Sequence, residues 1–61
     1  MTRNKILEII KGLDESGVCP YLHGVLTDGS AMSENWMEEI EERKPTNESE
    51  LINILIDLNL A

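Results

Sequence analysis

Phenylalanine is absent from these 61 residues and Trp36 and Tyr21 are the only aromatics, so the core must be built from Leu, Ile and Val. A single cysteine, Cys19, excludes an internal disulfide and fits a reducing compartment. No apolar run approaches the roughly eighteen residues of a membrane span, and no apolar signal segment follows Met1-Thr2-Arg3-Asn4-Lys5. A cytoplasmic chain without membrane contact is therefore expected. Bases are scarce as well, five against twelve acids, for a net charge of −7. Up to Lys11, three bases (Arg3, Lys5, Lys11) and one acid (Glu8) give +2; from Gly12 onward, two bases and eleven acids give −9. A field of that sign repels phosphate backbones, which argues against direct nucleic-acid binding and for a protein partner with a basic surface. A chain this short forms one domain, residues 1–61, and can hardly enclose a cleft of about 300–1,000 Å3 while keeping a core. No enzyme, cofactor or metal is expected.

Helical periodicity is what the chain does have. Ile6, Leu7, Ile9, Ile10 and Leu13 make a stripe of roughly 160° and predict a helix from about Thr2 to Glu15. Gly17 in the left-handed position, Leu13 and Val18 on either side of it, and Pro20 beyond form the pattern of a Schellman stop. Arg3 and Lys5 sit in the first turn, where the helix dipole disfavours cations, and either pair with acids elsewhere or are simply tolerated there, the second being preferred. Tyr21 to Thr27 has strand character weakened by Gly24 and ended by Asp28-Gly29, so an extended connector with room for a short strand is expected. A second helix is predicted over about Ser33 to Lys44, with Ser33 as cap, Met32 and Met37 as a hydrophobic staple, and Pro45 as stop. Thr46 or Asn47 then caps a third, Asn47 making a box-like pair with Glu50.

That last segment is unusually apolar. Leu51, Ile52, Ile54, Leu55, Ile56 and Leu58 cover an arc of roughly 200°, about twice what a one-sided surface helix needs. Leu51, Ile52, Ile54, Leu55 and Leu58 are therefore the candidate oligomer interface, and a homodimer is expected. Ile52, Ile54, Ile56, Leu58 and Leu60 also alternate with period two, which is a strand pattern. The caps and the acidic first turn favour a helix.

Glu34, Glu38 and Glu42 fall at i, i+4 and i+8, an anionic ridge with no cation at helical spacing to relieve it. Glu39 can pair with Arg43 and Glu41 with Lys44. Such a ridge can imitate a nucleic-acid backbone and occupy a basic groove, although a solvated face that keeps a small protein soluble is the commoner role. Trp36 and Met37 are apolar anchors if exposed, or core if not. Cys19 and His23 form a C-x3-H pair, which is two ligands short of a zinc site and lacks a group to orient the histidine for catalysis.

The pattern as a whole predicts a mainly α fold of three helices with an extended connector between the first two. The function expected is a non-enzymatic regulator or inhibitor that covers a basic surface, with Glu34, Glu38, Glu39, Glu41 and Glu42 supplying charge and Trp36 and Met37 supplying grip. Size and charge alone make phage or mobile-element inhibitors the analogy. A structural module that assembles through its C-terminal segment is the alternative.

Overall fold

A computed structural model describes residues 1–61 and is helical throughout, with no strand. Its elements are α1 (Arg3–Ser16), α2 (Leu22–Leu26), α3 (Ala31–Glu42) and α4 (Glu48–Asp57). α2 packs on both α1 and α3, and α3 packs on α4. Ile6, Ile10 and Leu13 of α1, Leu22 and Leu26 of α2, Met37 and Ile40 of α3, and Leu51 and Leu55 of α4 close around Cys19 in one aliphatic core.

Each end of α1 follows from local chemistry. Thr2 Oγ1 accepts the Lys5 N–H at 3.2 Å, satisfying a donor that has no partner inside the helix. At the other end Gly17 takes φ 83°, its N–H reaches Asp14 O, and the Val18 N–H reaches Leu13 O at 3.0 Å, which is the predicted Schellman stop. α4 ends the same way with asparagine in place of glycine. Asn59 has φ 60°, its N–H meets Ile56 O, and Leu60 N–H meets Leu55 O at 2.8 Å while the Leu60 side chain packs against the core.

The connector is the main difference from expectation. Leu22–Leu26 is a short helix rather than extended chain, with Leu22 and Leu26 both buried one turn apart. A lone strand here would leave its backbone groups unpaired, whereas a helical turn satisfies them within the segment. The Thr27 hydroxyl adds a 2.7 Å bond to His23 O. The second predicted helix, now α3, also begins earlier, because Ser30 rather than Ser33 is the cap. Ser30 Oγ accepts the Ser33 N–H at 3.0 Å, and the buried Ser33 hydroxyl donates back to Ser30 O. With the cap moved, Met32 lies inside the helix and exposed while Met37 is buried, so they form no staple across the helix start. α3 stops at Glu42, and the chain leaves it through Lys44 at φ 50°, since Pro45 disfavours the helical region for the residue before it.

The C-terminal segment resolves as a helix. Asn47 Oδ1 accepts the Glu50 N–H at 2.9 Å, as the cap pattern predicted. The Glu50 carboxylate reaches back to the N–H and hydroxyl of Thr46, one residue earlier than in a capping box.

Candidate binding surface

No pocket opens in the surface and no group of three metal-ligating side chains converges, so the features able to meet a partner are faces rather than clefts. Cys19 is 2% exposed, burial pushes its thiol pKa up, and His23 is half-buried one turn away in the chain.

On α3, Glu34, Glu38 and Glu42 are exposed, and Glu39 and Glu41 half-exposed. Arg3 changes the reading of this row. Its Nη1 and Nη2 donate to the two carboxylate oxygens of Glu34 at 3.1 and 3.0 Å, a fork-on-fork arrangement, and its Nε donates to Glu41. These two acids, Glu34 foremost, raise the guanidinium pKa above its usual value. Of the two readings of Arg3, pairing with acids elsewhere holds and the preferred one, toleration in the first turn, is corrected, because its side chain crosses from α1 to α3. So is the expectation that nothing relieves the ridge, since i and i+7 on α3 lie two turns apart with one guanidinium between them. Spacing along one helix cannot reveal a cation that arrives from another.

The remaining ion pairs are looser. Arg43 lies 3.5 Å from Glu39, as its spacing suggested, and 3.4 Å from Asp57, tying the end of α3 to the end of α4. Glu41 pairs with Arg3 instead of Lys44, which has left the helix by its positive φ. Neither Glu38 nor Glu42 has an ion pair.

Among the apolar candidates, Met37 is 2% exposed and Trp36 half-buried against the core, so Met37 has no surface to give a partner and Trp36 keeps an edge. In α4, Leu51 and Leu55 are 0% exposed and belong to the core of the single chain. Ile52, Ile54 and Leu58 are half-buried, and Ile56, outside the candidate interface, is 53% exposed on the flank one turn from Ile52. A broad apolar arc marks amount of surface and not which chain covers it, and the core of this same chain covers its centre.

One exposed aromatic was not singled out by sequence. Tyr21 precedes α2 with φ 68° and ψ −3°, its N–H donates to Asp14 Oδ1 at 2.9 Å, and its side chain is outside the core at 81% exposure. Its Asp14 partner is seven residues upstream, beyond the reach of turn patterns. Comparison with protein families, with curated proteins and with solved structures finds no match to this chain.

Proposed function

We propose that this is a non-enzymatic cytoplasmic binding protein that regulates or inhibits a larger protein by covering a basic, arginine-bearing surface with the outer face of α3. The observation that carries the reading is the seat of Arg3. Glu34 of α3 grips one guanidinium in fork geometry, Glu41 takes its Nε–H, and Glu38 and Glu42, on the same helix, have no cation of their own. A partner arginine placed there gains charge-assisted bonds and relieves the repulsion of an i, i+4 carboxylate pair. A nucleic-acid-binding groove is the kind of basic surface this charge suits, which is where the analogy with phage or mobile-element inhibitors rests.

The test uses Trp36, the only tryptophan, as reporter. Titration with hexa-arginine and with hexa-lysine at low salt should change its fluorescence, with arginine the tighter ligand, because a planar fork matches a carboxylate and an ammonium does not. Both affinities should fall steeply as salt rises. Absence of binding at low salt, or an affinity indifferent to salt, would refute the proposal.

Ile56 supports a second reading, an assembly module that self-associates through the Ile52–Ile56 flank of α4 as a homodimer. Ile56→Glu should then abolish a dimer seen by sedimentation equilibrium. A monomer at tens of micromolar for the parent chain removes this reading and leaves the first untouched.

A further inference from the structure

The segment between α1 and α2 holds a tyrosine that neither packing nor backbone accounts for. Gly17 ends α1, Pro20 fixes its own φ, and Asp14 accepts the Tyr21 N–H, which ties the backbone of Tyr21 in the left-handed region. Glycine or asparagine would occupy that backbone at less cost, and a side chain 81% exposed returns nothing to the core. Leu22 and Leu26 are buried in the core, while Val25 is left partly exposed and donates its N–H to Tyr21 O at 3.1 Å. Val25 is 39% exposed, and Val18, at 58%, lies three residues before Tyr21.

We propose that Tyr21, with Val25 and Val18, is a preformed anchor that docks a protein segment carrying an apolar side chain flanked by Lys or Arg. A tyrosine carried on a fixed backbone has only two side-chain torsions to lose on binding, and tyrosine is enriched among binding hot spots. Charge selects the occupant. From Gly12 to Ser30 the chain has three acids, Asp14, Glu15 and Asp28, and no Lys or Arg. Asp14 touches the Tyr21 backbone, and Asp28 follows Val25 by three residues. A second copy of this chain would bring the same acids against these, whereas a basic-flanked segment complements them. The sign of the partner's charge is taken from the function proposed above; the site itself is separate from the α3 face.

Three labelled peptides of twelve residues test the proposal by fluorescence anisotropy: a Leu-Trp-Leu centre with Lys/Arg flanks, the same centre with Glu flanks, and a serine centre with Lys/Arg flanks. The parent should bind the first at least about tenfold more tightly than the other two, and Tyr21→Gly, which suits the same backbone, should lose at least about tenfold while its circular dichroism stays helical. Equal binding by Tyr21→Gly overturns the anchor, as does equal binding of the serine-centred peptide; in either case a loss caused by Glu38→Lys with Glu42→Lys would still support the α3 face. No binding of any peptide overturns both. A dimer of the parent chain that Tyr21→Gly dissolves would make a second copy the occupant and overturn the choice of partner.

Discussion

Replacing Tyr21 by glycine should make the protein more stable. At φ 68° an L-residue pays about 1–2 kcal/mol for the clash of Cβ with backbone oxygen that glycine does not have. Against this, glycine loses more freedom on folding, about 0.4–1 kcal/mol. The exposed ring leaves no cavity, and the Asp14 bond goes to the backbone N–H, which glycine keeps. The balance is a gain of about 0.5–1 kcal/mol. For a domain of this size 1 kcal/mol moves the melting temperature by about 4–8 °C, so a rise of about 2–8 °C is expected by calorimetry or circular dichroism. A fall of a few degrees would mean that the ring contributes packing absent from this account, and would refute both the strain argument and the reason for assigning Tyr21 a binding role. Tyr21→Ala separates the two effects: it keeps the Cβ and its strain, so it should show no comparable gain.

Other predictions concern the scaffold. Leu55→Ala, at a fully buried site in α4, should cost about 2–5 kcal/mol, a large share of the roughly 3–9 kcal/mol available to 61 residues, and should lower the melting temperature by at least about 10 °C or unfold the chain. Asn47→Ala removes the acceptor of the Glu50 N–H and should cost about 0.5–2 kcal/mol in a denaturant titration, whereas an unchanged midpoint would place the cap elsewhere. Asp28 accepts the Ser30 N–H at 2.8 Å, and that bond holds its carboxyl below the usual range. A folded pKa below the unfolded one stabilises fully above about pH 4 and is lost as pH falls through the folded value, so the melting-temperature difference between parent and Asp28→Ala should be constant near neutrality and narrow toward pH 2.

Much of the fold was legible because its signals are local. The Schellman stop at Gly17, the Asn47 cap and the stripe of α1 each depend on residues within one or two turns, and each stands in the structure as read. Where sequence reading failed, the deciding partner was distant in the chain. Whether Leu22–Leu26 is strand or helix depends on a pairing strand that no other segment supplies. The sequence offers Ser33 as the cap of α3, but Ser30, three residues earlier, takes that place and is itself bonded through its N–H to the Asp28 carboxylate. Arg3 reaches Glu34 across 31 residues, so a distant acid could be offered as its partner from the sequence but not which acid it is. Tyr21 was legible only as an aromatic in a connector, since its backbone is set by Asp14 and Pro20 together.

Position-specific charge reversal tests the central claim most directly. Glu38→Lys with Glu42→Lys changes the net charge from −7 to −3, and so does Glu8→Lys with Glu48→Lys on other faces. Association of hexa-arginine, followed by Trp36 fluorescence across a salt series, should weaken far more in the α3 variant than in its charge-matched control, with a shallower salt dependence and an unchanged or higher melting temperature. Equal weakening in the two variants would show that arginine responds to net charge alone and that the face of α3 is only solvated surface.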